Sequence, residues 1–419
     1  MSDTRLVSLD VLRGFDMFWI LGADAVVYAL GKMQGPPRLH APVQFLADEM
    51  EHVDWTGLHF YDLIFPLFIF IVGVSLVFSL SKLIERQGRL VVVKRILIRA
   101  GLLILLGIFY NGGLGPSWPN VRLSGVLQRI GISYAVAALL FCYLRTRMLV
   151  VVFLAILIGY WALLTFMPIR DFKLDRKSIE EPLIAAYRET GDINRALTPE
   201  DKEQARQKIV EGYYATQTRR IGGYEAGLNL PNHFDFEYLP GRLHFDYYDA
   251  EGLLSMLPAI ATCLLGVFAG LWLRHPQLNE RQRAAGLYIG GFIALALGYL
   301  WSLQFPIIKL LWTSSYVLVT GGWSLLLLAA FYYIIDVRGW RSWAEPFVWI
   351  GMNAITLYLL VNIVSFRGVS QRLVGGSVSS FFDKTVTAGF ADVVTMTVRL
   401  VLVILVARFL YQRKIFLKV

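Results

Sequence analysis

Residues 60–81 read FYDLIFPLFIFIVGVSLVFSLS, an apolar run in which Asp62 is the only charged side chain. A helix rises about 1.5 Å per residue, so a run of this length crosses the roughly 30 Å of hydrocarbon in a bilayer. Similar runs lie at 15–31, 96–110, 125–144, 148–166, 251–273, 284–304, 313–335, 346–365 and 391–411. The sequence therefore predicts an all-α polytopic membrane protein with about ten transmembrane helices.

The composition agrees with that class. Of the 419 residues, 56% are hydrophobic and 14% aromatic, and the mean hydropathy is +0.55, outside the range of typical soluble domains. We therefore expect membrane lipid as a partner. The net charge of +9 sits mostly in short loops without interleaved aromatic residues, so no nucleic-acid partner is expected. Cys142 and Cys263 lie in apolar runs without metal-ligand spacing, and we expect no metal.

Lysine and arginine clusters predict the orientation, because basic loops tend to stay in the cytoplasm. The clusters are Lys82, Arg86, Arg89, Lys94, Arg95 and Arg99 in one loop, Arg145 and Arg147 in a second, Arg274, Arg281 and Arg283 in a third, and Arg413, Lys414 and Lys418 in the tail. All of them fall on one side if both termini are cytoplasmic.

The stretch 167–250 departs from the apolar pattern, since it is dense in mixed charge and ends in a segment rich in glycine and proline. We interpret residues 1–419 as one transmembrane domain and 167–250 as a periplasmic cap inserted within it.

Several polar side chains interrupt the apolar runs, where a central charge costs about 2.5–3.5 kcal/mol on insertion scales. They are Arg13, Asp16, Asp24, Asp62, Gln128, Arg129, Asn353 and Asn362. Each could join two helices, but together they suggest a polar cavity. Arg129 keeps its charge, so it needs a carboxylate, backbone carbonyls or an anionic ligand. Asp24 and Asp62 are candidate partners.

The first predicted outer loop contains His40, His52 and His59. Imidazole can take a proton from an attacking amine or accept an acyl group itself. Most loop histidines are merely solvated, so residue type alone leaves His52 a candidate.

Five segments together resemble one family. They are RLVSLDVLRGFDMFWI from Arg5, HVDWTGLHFYDLIFPLFIFIVG from His52, VRLSGVLQRIGISY from Val121, IIKLLWTSSYVLVTGGWS from Ile307 and GMNAITLY from Gly351. These segments resemble, in the same order, the heparan-α-glucosaminide N-acetyltransferase family and its bacterial relatives. The resemblance implies an enzyme of the bacterial inner membrane, a homodimer, that acetylates an amino-sugar amine on the periplasmic side with acetyl-CoA taken from the cytoplasm.

The resemblance also implies roles for single residues. The family's catalytic histidine precedes the membrane entry and matches His52, as general base or as acetyl carrier. The family carries a functional asparagine where this chain has Asp24. We expect this carboxylate to orient the imidazole or the acceptor amine, which makes Asp24 the second catalytic candidate.

Ligand contacts are predicted from charge and location. Arg95 and Arg99 are candidates for the nucleotide end of acetyl-CoA. Gln128, Arg129 and Asn353 are candidates for lining the donor channel. For a cationic amino sugar, the candidate contacts are Asp54, Asp62, Asp249 and Glu251, with Trp55 offering an apolar face.

Three other functions fit the same sequence. An amino-sugar transporter would also place polar groups within a helical bundle. A membrane O-acyltransferase of exported glycans would share the donor and differ in the acceptor. A receptor or scaffold leaves the polar residues along the predicted channel unexplained.

Overall fold

The computed structural model describes residues 6–33, 37–116, 118, 120–175 and 199–417. Lys418 and residues 176–198 of the predicted cap lie outside these ranges. The first half of the bundle comprises α1 (Val7–Phe18), α2 (Asp24–Lys32), α3 (Pro37–Asp48), α4 (Ile64–Gln87), α5 (Arg89–Tyr110), α6 (Val126–Tyr143) and α7 (Thr146–Phe166). The cap contains β1 (Pro168–Arg170), α8 (Pro199–Ala215), β2 (Arg219–Ile221) and α9 (Leu230–Tyr238). The second half comprises α10 (Met256–Leu273), α11 (Glu280–Ser302), α12 (Ser314–Phe331), α13 (Glu345–Met352), α14 (Ala354–Ile363), α15 (Phe366–Val374), α16 (Ser377–Thr385) and α17 (Phe390–Gln412).

The all-α polytopic membrane fold is confirmed. Among the described residues, 8 helices are long and apolar enough to cross a membrane, or 9 if Ser342–Met352 and Ala354–Ile363 form one bent span. The other predicted span, 96–110, lies in α5. All six basic residues assigned to one loop are helical, because only the turn at Gly88 separates α4 from α5. Lys82 and Arg86 lie in α4, and α5 contains Arg89, Lys94, Arg95 and Arg99.

Close backbone contact joins the two halves of the bundle at α4 and α10. A side chain at Gly73 would meet the carbonyl oxygen of Cys263, and one at Gly266 would meet that of Phe70. Small residues at such crossings let two helices approach closely, which favours van der Waals packing within a membrane. This contact fixes α4, which directly follows the His52 loop, against α10.

Two helices that reach the candidate site are broken. The first span continues from α1 into α2 through a π-helical turn at Trp19–Ala23, where Gly22 has φ 136°. Glycine adopts this backbone conformation without a steric penalty, and wide helical turns are frequent at functional sites. The second break lies at Asn353, where α13 and α14 differ in direction by 67°.

The described part of the cap has a small core of its own. Its antiparallel pair β1–β2 places Pro168 opposite Ile221. Ile209 and Tyr213 of α8 are buried together with Leu174 and Tyr247. The cap contacts the bundle near the first loop, where the Trp55 indole donates a hydrogen bond to the Tyr224 carbonyl over 2.6 Å. The cap therefore holds the loop that contains His52.

Candidate active site

The loop before α4 is organised around one buried carboxylate. Asp62, which is 1% exposed, closes a short helical turn at Phe60–Leu63. Its Oδ2 accepts hydrogen bonds from the backbone amides of Val53, over 3.3 Å, and His59, over 3.1 Å. Since Asp62 binds the backbone on both sides of the loop, His52 is held in a defined position beside it.

Three side chains meet at this point, which we call the His52 cluster: His52, Asp62 and Lys309. The His52 Nδ1 lies 2.8 Å from Asp62 Oδ1. Lys309 Nζ lies 2.8 Å from His52 Nδ1, 3.2 Å from His52 Nε2 and 3.1 Å from Asp62 Oδ1. Burial lowers the pKa of Lys309, while the neighbouring Asp62 charge opposes that shift. The cluster thus places an imidazole, a buried carboxylate and a partly buried amine within hydrogen-bonding reach of one another.

Lys309 comes from the segment between α11 and α12. The Gly57 amide donates to the Ile307 carbonyl over 2.9 Å, which joins this segment to the His52 loop. The Trp312 indole donates to Thr262 over 3.0 Å, and the Tyr316 hydroxyl donates to the Asp62 carbonyl over 2.7 Å. These bonds fix the position from which Lys309 reaches the imidazole.

The sequence analysis missed Lys309. The available signal was a single lysine within the otherwise apolar segment IIKLLW, residues 307–312. This segment opens one of the family-like motifs.

Asp24 reaches His52 through Tyr61. The Tyr61 hydroxyl donates to Asp24 Oδ2 over 2.9 Å, and the Tyr61 ring packs 4.9 Å from the His52 ring between centroids. Asp24 Oδ1 accepts from the Ala25 amide over 2.7 Å. Any effect of Asp24 on the imidazole therefore passes through the tyrosine.

A cavity of about 590 Å³ opens beside the His52 cluster. Its polar part is lined by His52, Asp54, His244, Glu251 and Lys309. Its apolar part is lined by Met17, Ile20, Phe65, Phe68, Leu127 and Ile130. The rings of Tyr110 and Tyr358, which also line it, stack 4.5 Å apart with an interplanar angle of 15°. An apolar cavity with a few convergent polar groups is the usual form of a small-molecule site.

A second ionic group, the Arg122 cluster, lies at the junction of cap and bundle and consists of Arg122, Asp249 and Glu251. Arg122 Nη2 donates to Asp249 Oδ1 over 3.2 Å and to Glu251 Oε2 over 2.8 Å. Burial opposes ionisation of Asp249, but the Arg122 charge and local hydrogen bonds outweigh it, so the pKa of Asp249 is lowered. Burial instead raises the pKa of Glu251. Of the two carboxyls, Glu251 lines the cavity and Asp249 is buried behind it.

The residues predicted to contact the donor lie outside the cavity lining. Arg129 is buried, donates to the Ala250 carbonyl over 3.1 Å, and has its guanidinium 4.7 Å from the Trp312 ring centre. It thus binds a backbone carbonyl, one of the partners that the sequence analysis allowed. Gln128 packs between Gly107 and Gly125.

The remaining donor candidates also lie away from His52. Arg95 is exposed on α5. Arg99 lies over the Tyr134 ring, 4.6 Å from its centre. Asn353 occupies the break before α14, and its neighbour Ala354 lines the cavity.

Trp55 and the other two loop histidines do not join the cluster. Trp55 packs against the cap and its neighbouring apolar residues. The His59 ring is 3.0 Å from the Glu51 carbonyl oxygen, and the His40 side chain lies outside the described part of the chain. Among the described residues, no group of three His, Cys, Asp or Glu side chains has the arrangement of a metal site.

Comparison with known proteins gives this geometry a context. No protein-family model matches the chain. The chain is 28% identical over 345 residues to human heparan-alpha-glucosaminide N-acetyltransferase, which covers 74% of this chain and 48% of the human protein. The resemblance to this family is confirmed. The mouse heparan-alpha-glucosaminide N-acetyltransferase matches with the same identity and coverage. The chain spans about half the length of these curated relatives.

Proposed function

We propose that the chain is a transmembrane N-acetyltransferase that uses His52 to pass an acetyl group from acetyl-CoA to an amino-sugar amine. In this proposal the donor enters from the cytoplasm and the acceptor from the periplasm, across a bacterial inner membrane with both termini cytoplasmic. The observation that carries the proposal is the His52 imidazole, 53% exposed beside the cavity and paired with the buried Asp62. The names of both relatives support the reaction type.

Asp62 prepares the imidazole for this chemistry. When Nδ1–H donates to Asp62, the lone pair lies on Nε2. As base, His52 takes a proton from the attacking amine while the new C–N bond forms and the thioester C–S bond breaks. The sulfur leaves with the electron pair and receives the proton. As acetyl carrier, Nε2 attacks the thioester carbon first, and the C–S bond breaks so that the thiolate leaves with the electron pair. The amine then attacks the acetyl carbon, the bond to Nε2 breaks, and the proton of the amine passes through the imidazole to the thiolate.

Lys309 contributes a positive charge at the reacting centre. Its ammonium keeps Asp62 ionised through their 3.1 Å contact. It also stands where negative charge develops on the thioester oxygen, and a fixed cation in a water-poor site stabilises such charge strongly.

The cavity fits an acyl donor whose arm is long and weakly polar. Its apolar lining includes Leu127 and Ile130 of α6. One helical turn further along α6 is Tyr134, and Arg99 lies over that ring. In this proposal the donor arm follows α6 from the cavity toward Tyr134, which would bring the nucleotide end near Arg99. Acetyl-CoA supplies the activated thioester.

Two carboxylates are placed to receive a cationic acceptor. Glu251 and Asp54 both line the cavity beside His52. Asp249 does not line the cavity, and its oxygens accept hydrogen bonds from Arg122 and from the backbone amides of His244 and Glu251. Glu251 and Asp54 are therefore the acceptor contacts in this proposal, and Asp249 supports them. The homodimer stays a prediction.

The test is transfer of labelled acetyl from acetyl-CoA to glucosamine-type amines by the purified full-length protein. We expect His52→Ala to lower turnover by roughly 10²–10⁴, the usual contribution of general-base catalysis. His59→Ala is the matched control, since this histidine lies seven positions on in the same loop without lining the cavity. Equal activity of the His52 variant and the wild type would remove the assignment.

One observation favours the transporter as a second candidate. The bent pair α13–α14 places a helix break beside the cavity, as in many transporter binding sites. Uptake of an amino sugar into vesicles without acetyl-CoA would support it, and uptake that requires acetyl transfer would not.

A further inference from the structure

Lys309 places a nucleophilic amine against the imidazole that handles the acetyl group in the proposed reaction. Its Nζ is 3.2 Å from His52 Nε2 and lines the same cavity. Reacting atoms in near-attack geometry are about 3–3.5 Å apart. An acetyl group on Nε2, or a thioester held beside it, would therefore lie within reach of this amine.

We propose that Lys309 is a self-acetylation site, and that donor without acceptor slowly switches the enzyme off. This inference rests on the proposed function. The Nζ lone pair attacks the acetyl carbonyl carbon, and the bond from that carbon to the imidazole nitrogen or thioester sulfur breaks. The leaving group takes the electron pair and the proton released from Nζ. The products are N-acetyl-Lys309 and restored His52, or N-acetyl-Lys309 and free thiol.

The reaction requires the neutral amine, and the surroundings of Lys309 act on it in two directions. Removal from water favours the neutral form, whereas the Asp62 contact of 3.1 Å favours the ammonium. Self-acetylation should therefore be slow relative to turnover and should become faster as the pH rises. An acceptor amine competes for the same acetyl group.

The modification would disable the site by removing one charge. Acetyl-lysine cannot pair with Asp62, and the added group occupies the space beside His52. Asp62, which is 1% exposed, would then be a buried carboxylate without its cation. An unpaired buried charge is energetically costly. Activity should fall in proportion to the acetylated fraction.

The experiment incubates the purified full-length protein with isotope-labelled acetyl-CoA, without acceptor, and measures label on each lysine by peptide mass spectrometry. Lys94, which is exposed on α5, and Lys173, which is 50% exposed in the cap, report non-enzymatic acetylation in the same sample. We expect at least about ten-fold higher occupancy at Lys309, because a held acetyl group has a high effective concentration. A saturating glucosamine-type amine should suppress that label.

Two variants separate self-acetylation from chance labelling. In His52→Ala, Lys309 should be labelled no more than Lys94. Lys309→Arg keeps a cation but cannot form the amide under these conditions, so its activity should be equal before and after preincubation with donor. Labelling of Lys309 no higher than that of Lys94 in the wild type would overturn the proposal, whereas equal labelling above that level in the His52 variant would show direct attack on the thioester.

Failure of this proposal can be distinguished from failure of the proposed function. An unlabelled Lys309 in a protein that acetylates amines would overturn self-acetylation alone. An unlabelled Lys309 in a protein that transfers acetyl to no amine would overturn both.

Discussion

The His52 cluster and the Arg122 cluster flank one cavity, and both contain buried carboxylates paired with a cation. In the His52 cluster a single carboxylate, Asp62, is shared by an imidazole and an amine, and the imidazole is 53% exposed. Its polar atoms therefore remain accessible to a ligand.

In the Arg122 cluster one guanidinium is shared by two carboxylates instead. Asp249 also receives backbone amides and is fully enclosed, whereas Glu251 keeps a surface toward the cavity. A buried ion pair alone therefore does not indicate chemistry. What distinguishes the two clusters is the group that faces the cavity beside the ion pair, which is an imidazole in the His52 cluster and a carboxyl in the Arg122 cluster.

The largest effect is expected from Asp62→Asn. The amide preserves the shape but removes the charge that orients His52 and pairs with Lys309. In the analogous histidine–aspartate pair of serine proteases, such a change costs about 10⁴ in kcat, so we expect roughly 10²–10⁴ here. Steady-state kinetics would measure it.

Asp249→Asn is the matched control in the Arg122 cluster, because it makes the same chemical change in another buried ion pair. It should lower the Tm while leaving kcat close to the wild-type value. Similar kcat losses in both variants would contradict the distinction between the clusters.

Lys309→Met should lower kcat by roughly 10², the size expected when one charge-stabilising group is removed. The pH profile gives a sharper readout. Because burial lowers the pKa of Lys309, the wild type should lose activity at alkaline pH below the range of an ordinary lysine, as the ammonium deprotonates. Lys309→Met should lack this alkaline limb. If the variant loses activity at the same alkaline pH as the wild type, a group other than Lys309 causes that loss.

Glu251→Gln should raise the acceptor KM about ten-fold with little change in kcat, since a hydrogen bond to a charged group contributes about 1.5–3 kcal/mol. The reason is that Glu251 lines the cavity beside His52. Measuring KM for both substrates distinguishes acceptor from donor binding. An increase in the acetyl-CoA KM alone would place Glu251 on the donor side.

The sequence predicted the helical membrane fold because the signal is local. Apolar runs such as 60–81 identify themselves by length and composition. The prediction was less accurate for α5, where Lys94, Arg95 and Arg99 resemble a loop although they lie within the helix. Charge content alone cannot separate a basic helix end from a loop.

The candidate site was only partly predictable. His52 and Asp62 lie ten positions apart in one motif, so sequence could associate them. Lys309 is 247 positions from Asp62, and only the packing of the segment before α12 against the His52 loop brings them together. Trp55 illustrates the opposite limit, because an aromatic residue beside His52 in sequence packs against the cap instead.

The smallest expected effect is a change in the stability of the fold, and it comes from a buried carboxyl next to the Arg122 cluster. Asp235 is buried, accepts a hydrogen bond from the Leu253 amide over 2.8 Å, and has its pKa raised by burial to about 7. A carboxyl whose pKa is higher in the folded protein binds its proton more tightly there, so stability falls as pH rises from about 4 to 7. Asp235→Asn should remove that slope and raise Tm at pH 8 by roughly 2 °C. Fluorescence-monitored melting at pH 5 and pH 8 measures both. A variant that melts lower at both values, with the slope retained, would show that the hydrogen-bond geometry matters more than the buried charge.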